Sequence, residues 1–111
     1  MIYAICSFLV AAVGGLVMAT QVFRNRTPSP LIAVVHGLLG ATGLGLLLWL
    51  VITGSTSTAV LAGFGILLIA ALGGFFLASF HLRGKPHPKA VVAVHASVAV
   101  IGVCTLIATL L

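Results

Sequence analysis

The chain of 111 residues contains no Asp and no Glu, and only 5% of it is charged. Without a carboxylate, paired-acid hydrolysis, an acid-oriented catalytic triad, an EF-hand calcium site and an acidic proton relay are all excluded. Most enzyme classes go with them. A soluble domain of this size carries about a quarter charged and roughly half apolar residues, whereas 62% of this one is hydrophobic. Such a composition belongs in a lipid bilayer. Cysteine is also scarce. Cys6 and Cys104 have no CxxC spacing and lie in apolar runs, so they are expected to be packed thiols rather than a redox pair. The five Lys and Arg residues give a formal charge of +5, but they fall in two short clusters. That pattern is a topology signal rather than a nucleic-acid surface.

A membrane-spanning helix needs about 20 mainly apolar residues, and the sequence supplies four such runs, near Ile2 to Phe23, Leu31 to Thr53, Thr58 to Leu82 and Lys89 to Leu111. Short breaks separate them: Arg24 to Pro30, Gly54 to Ser57, and Arg83 to Pro88. Each break stops a helix with Pro, Gly or hydroxyl residues. Every basic side chain lies in or at the edge of the first and third breaks, which share one side. The positive-inside rule puts that side in the cytoplasm and both termini outside, in a bacterial-type inner membrane. The first run is too long for a cleaved signal peptide and lacks its basic start, so it is expected to stay as a helix. Loops this short require antiparallel neighbours. The expected fold is therefore all-α: one integral membrane four-helix bundle, up-down-up-down, spanning residues 1–111.

The chain also repeats itself. A shift of 59 residues, without a gap, carries Ala11, Ala12, Gly14, Gly15 and Ala19 onto Ala70, Ala71, Gly73, Gly74 and Ala78. The same shift carries Arg24 onto Arg83, Arg26 onto Lys85, His36 onto His95 and Gly43 onto Gly102. Polar matches in one register are the informative ones in so apolar a chain. The halves, 1–53 and 58–111, are two tandem helix hairpins. A parallel repeat relates them by a pseudo-twofold axis along the membrane normal. Helices 2 and 4 then lie diagonally opposite, and their histidines face one another.

His36 is six residues beyond Pro30, about 9 Å along a helix, and His95 is six beyond Lys89. A polar residue at that depth is a functional-site candidate by default, and here no acid can pair with it. Gly40 and Gly43 share the face of His36, as Ala99 and Gly102 share that of His95. Two opposed imidazoles above nearly bare strips suit a flat macrocycle, with His36 and His95 as axial metal ligands to haem iron. Arg24, Arg26, Arg83 and Lys85 lie at loop level, where they suit its propionates. The competing reading has the histidines bonding at a helix crossing while the glycines pack helices. Gly14, Gly15, Gly73 and Gly74 fit either reading.

These residues resemble the four-helix membrane cytochromes of b type, which hold haem between transmembrane histidines. The resemblance covers the four-span plan and the elements His36-x6-Gly43 and His95-x6-Gly102. It implies one haem b and electron transfer with a quinone or other membrane redox subunits. No second histidine pair stands in the outer half, so a trans-membrane electron wire is not implied. His81 breaks the repeat, pointing toward the inner interface as a third ligand, a quinone contact, a propionate partner or a simple anchor. His87, in a Pro-rich loop, is expected to be solvated. A zinc or copper site from His36, His81 and His95 ranks below haem, because no carboxylate orients the imidazoles. Thr20 and Ser79 are candidate acceptors for an imidazole N–H, or bond their own preceding turn. Trp49 and Tyr3 read as interfacial belt residues.

The alternative function is a structural or assembly subunit of a larger respiratory or photosynthetic-type membrane complex, without its own cofactor. In length and span count the chain also resembles small multidrug-resistance transporters. Those centre on an acid in the first span, which is missing here.

Overall fold

Apolar runs of this length close all their backbone hydrogen bonds within a helix, the only economical solution for a single segment in lipid. The computed structural model describes residues 1–54 and 56–111 and contains four helices: α1 (Ile2–Phe23), α2 (Pro30–Ile52), α3 (Thr58–Leu82) and α4 (Lys89–Ala108). All four are long and apolar enough to cross a membrane. Ser55, in the second break, lies outside the described residues.

Local chemistry sets the ends. After α1, Asn25 adopts φ 58°, and after α3 its repeat equivalent Gly84 adopts φ 64°. In both places the next N–H reaches back to close the helix: Arg26 N–H to Gln21 O at 2.8 Å and Lys85 N–H to Phe80 O at 2.9 Å. Each is paired with the inner bond of a Schellman motif, Asn25 to Val22 and Gly84 to His81. The two basic loops therefore leave their helices by the same turn.

α2 starts one residue earlier than the apolar run suggests. Pro30 sits in the first turn, where its missing N–H costs nothing, and the Ser29 hydroxyl accepts the Ile32 N–H. Ser57 caps α3 in the same way through Val60. α4 has Pro88 as its N-cap and no side-chain cap. It also ends three residues short of the chain terminus. Thr109, Leu110 and Leu111 donate to carbonyls only three residues back, a tightened final turn of 3₁₀ type.

The bundle measures 42 × 19 × 19 Å. α1 packs chiefly on α2 and α3 chiefly on α4, with lighter contacts closing the ring between α1 and α4 and between α2 and α3. The backbones of the diagonal pairs do not meet. Lipid supplies no hydrophobic drive between helices, so close packing of small residues and side chains must hold them. Repeat-equivalent positions do this work in both halves. Ala4 and Gly63, Phe8 and Leu67, Ala11 and Ala70, Gly43 and Gly102, and Leu47 and Leu106 are all buried. Ala4, Phe8, Leu47, Leu67 and Leu106 join Ile5 and Val60 in one apolar cluster in the half that holds the chain termini. A smaller cluster of Val22, Leu77 and Val92 closes the basic half. Ser7 adds a polar link inside the first hairpin, its hydroxyl donating to Leu39 O at 2.7 Å.

Large side chains such as Leu16, Leu31, Leu72 and Phe75 point outward, as lipid-facing residues do. Tyr3 and Trp49 do so as well. Cys6 and Cys104 are exposed and free. This corrects the expectation of packed thiols: the faces that carry them turn away from the small-residue seams, so nothing in the bundle covers them.

Candidate functional site

His36 and His95 bring the two hairpins together at the level between the apolar clusters. Their ring centroids are 6.2 Å apart with the planes inclined at 75°, although the backbones of α2 and α4 do not touch. Both rings are partly buried. His36 Nδ1 lies 2.7 Å from Ala11 O, and His95 Nδ1 lies 2.8 Å from Ala70 O. A carbonyl oxygen can only accept, so Nδ1 carries the proton in each ring. The neutral imidazole then keeps an unprotonated Nε2.

Glycine makes this approach possible. Ala11 O and Ala70 O belong to the helix backbones of α1 and α3, and a ring reaches them only where the following turn has no side chains. A Cβ on Gly15 would stand 3.0 Å from His36 Cε1, and one on Gly74 would stand 3.2 Å from His95 Cε1. Gly14 and Gly73 flank the same rings, with hypothetical Cβ atoms 3.8 Å from the His36 and His95 Cβ atoms respectively. The double glycines of the repeat are thus seats for the histidines of the neighbouring helix.

The strips beyond the histidines are not bare. A Cβ on Gly43 would collide with the Phe8 ring at 2.6 Å, and one on Gly102 with Leu67 Cγ at 2.7 Å. Side chains from α1 and α3 fill the space these glycines leave. Face periodicity on one helix cannot reveal what a neighbouring helix inserts, which is why the sequence suggested open strips. Gly40 has nothing within 4 Å of its hypothetical Cβ, and Ala99 is partly buried.

His81 does not join the pair. Its ring lies 5.6 Å from that of His87, at nearly a right angle, and His87 also packs beside Phe80 at 6.3 Å. Among the described residues no group of three or more potential metal-binding side chains is assembled, so His36, His81 and His95 do not form a three-histidine centre. His87 is half-buried rather than freely solvated. Burial, and after it the charge of His81, holds its imidazole below the ordinary histidine range.

Thr20 and Ser79 bond Val17 O and Phe76 O in their own preceding turns, so neither serves the imidazoles. Ser79 is occupied further: Arg83 donates to its carbonyl and its hydroxyl, both at 3.1 Å. The guanidinium carbon lies 4.6 Å from the centre of the Phe80 ring. Arg83 is thereby folded along its own helix. Arg26 and Lys85 instead line a cavity of about 450 Å³ between the two basic loops, together with Val22, His81, His87 and Lys89. Arg24 and Arg83 do not line it. Sequence spacing could not separate these basic residues, because their directions depend on the turn each loop takes.

No protein-family model, no curated protein and no solved structure matches the chain.

Proposed function

We propose that the protein is a small membrane cytochrome of b type that carries electrons on one haem b held by His36 and His95. One observation carries this reading: two repeat-related imidazoles, each anchored through Nδ1 to a backbone carbonyl, stand 6.2 Å apart on diagonal helices. A ligating histidine characteristically gives its other N–H to a carbonyl or carboxylate, which fixes the tautomer and raises the basicity of the free nitrogen. A metal taking two opposed imidazole bonds of about 2 Å also separates the ring centroids by roughly 6 Å. Donor chemistry and spacing therefore suit His36 and His95 as the residues that would hold the haem iron.

Gly15 and Gly74 keep the flanks of the rings free of Cβ atoms. The neighbouring Val22, Leu77 and Val92, and on the other side Phe8 and Leu67, exclude water and must shift to seat the width of a macrocycle. When bound, the haem supplies one-electron chemistry, and the chain's residues fix its orientation and its dry surroundings. The side with Arg24, Arg26, Arg83 and Lys85 is proposed to face the cytoplasm, with Arg24 and Arg83 meeting the propionates. A quinone or another membrane redox subunit is the proposed partner.

The visible spectrum of detergent-purified protein, produced with ample haem, tests the reading. A six-coordinate low-spin signature is expected, with conversion to high spin or loss of haem in His36→Ala and in His95→Ala, and retention in His81→Ala. Cys104 is nine residues past His95, roughly 13 Å along the helix, too far to replace it. Purified protein without bound haem would favour the second reading, a structural subunit of a larger membrane complex. Its supporting observation is the seating of Phe8 on Gly43 and Leu67 on Gly102, which uses the small-residue strips for helix packing alone.

A further inference from the structure

The two halves differ most in chemistry at one place. The repeat register sets Val22 against His81, Pro28 against His87 and Pro30 against Lys89. All three second-half residues line the cavity between the basic loops. So do Arg26 and Lys85, which are repeat equivalents of one another. In the first half the corresponding region is closed by its own side chains: Ser29 caps α2, the Gln21 side chain accepts the Ser29 N–H at 3.0 Å, and Pro28 is buried. The second half has Phe80 in place of Gln21 and leaves α4 without a side-chain cap. The second half thus contributes His81, Lys85, His87 and Lys89 as nitrogen donors to the walls of the cavity.

Three permanent positive charges, from Arg26, Lys85 and Lys89, converge there beside two imidazoles. The chain has no Asp or Glu to offset them. The uncapped start of α4 adds partial positive charge on the same wall. An anion held there lowers the repulsion among these charges, and basic pockets between helix ends at a membrane surface suit phosphate-bearing head groups. Neither His36 nor His95 lines the cavity, whereas Val22 of the Val22, Leu77 and Val92 cluster does.

We infer that the cavity lined by Arg26, Lys85, His81, His87 and Lys89 is a binding site for a phosphate-bearing anion, either the head group of an anionic phospholipid or a free phosphate. The bound oxygens accept from the guanidinium, the two ammonium groups and the imidazole N–H groups.

The test uses the full chain in nanodiscs of phosphatidylcholine with or without phosphatidylglycerol, and separately in detergent titrated with inorganic phosphate. The His81 and His87 ring resonances report binding. Saturable shifts with phosphatidylglycerol alone assign a lipid head group, and shifts with inorganic phosphate assign a free anion; both support the site. The double variant Arg26→Gln/Lys85→Gln should weaken binding by about tenfold or more. The charge-matched double variant Arg24→Gln/Arg83→Gln, outside the cavity, should change it less than about twofold, since exposed charges act weakly at a distance. Should the first double variant lose helicity, Lys89→Gln, at an exposed position, reports in its place. The proposal is overturned if neither probe shifts the resonances, or if both double variants weaken binding alike.

Discussion

Replacing Gly15 by alanine puts the histidine seat under direct load. The new Cβ would lie 3.0 Å from His36 Cε1, whereas carbon atoms rest comfortably at about 3.5–4.0 Å. The ring must therefore retreat by roughly half an ångström or more. Its Nδ1 now stands 2.7 Å from Ala11 O, and the retreat takes that bond to the edge of useful geometry, about 3.2 Å. Interhelical hydrogen bonds in membranes contribute about 0.6 kcal/mol on average, and overpacking a close seam costs about 1–3 kcal/mol. Alanine's better helix propensity returns about 0.5–1 kcal/mol. The net expectation is a loss of about 1–2 kcal/mol.

Gly73→Ala is the natural comparison, because its Cβ would meet His95 Nδ1 at 3.6 Å, with 3.8 Å to the nearest carbon. It should be neutral or stabilising by up to about 1 kcal/mol. Reversible unfolding in mixed micelles, followed by circular dichroism, measures both variants, and imidazole nitrogen resonances report whether Nδ1 of His36 still donates. Equal stabilities, or an unaltered Nδ1–H signature in Gly15→Ala, would refute the seating argument.

Three further outcomes follow from the same geometry and charge pattern. Gly43→Ala drives a Cβ into the buried Phe8 ring and should destabilise by about 1–3 kcal/mol, while Gly40→Ala on the same helix meets nothing and should be neutral or better; the same unfolding assay separates them. His87 is held below the ordinary histidine value by burial first and by His81 second, so it gains its proton only at a pH lower than a freely solvated histidine would. His81→Gln removes the like-charge contribution and should move the His87 titration upward in an NMR pH series; a fixed or lowered midpoint would show that the two rings do not interact. With His81 present, binding of phosphatidylglycerol, whose phosphodiester keeps its single charge, should tighten as pH falls below the ordinary histidine range, because protonated His87 adds a positive charge to the cavity.

Much of the architecture is legible in the sequence because bilayer thickness imposes a length on every apolar run. The four spans and their short breaks are recovered within a few residues. The departures occur where capping chemistry decides the boundary: Ser29 draws Pro30 into α2, and the last three residues tighten out of α4. The facing of His36 and His95 is also legible, since a polar repeat in one register fixes diagonal partners. What those histidines touch is not. The acceptors Ala11 O and Ala70 O are backbone atoms, and any residue carries one. Nor does periodicity show that Phe8 fills the space at Gly43, or that Leu67 does so at Gly102. Those contacts depend on the stagger between helices. The basic loops show the same limit. Arg24 and Arg26 look alike in sequence, yet a Schellman turn lies between them, and only Arg26 lines the cavity.

The unequal packing of the bundle gives the imidazole pair an unusual mechanical setting. His36 is anchored to α1 and His95 to α3, so each ring is fixed within its own tightly packed hairpin. The gap between the rings crosses the seam where the hairpins meet more lightly. A small slide or splay of one hairpin against the other therefore changes ring separation while both anchors stay intact. The two halves act as the jaws of a clamp whose gripping surfaces are stiff and whose opening is compliant. The width of the grip is then set by whatever stabilises the seam, including lipid pressure on the outer faces and charge at the basic mouth.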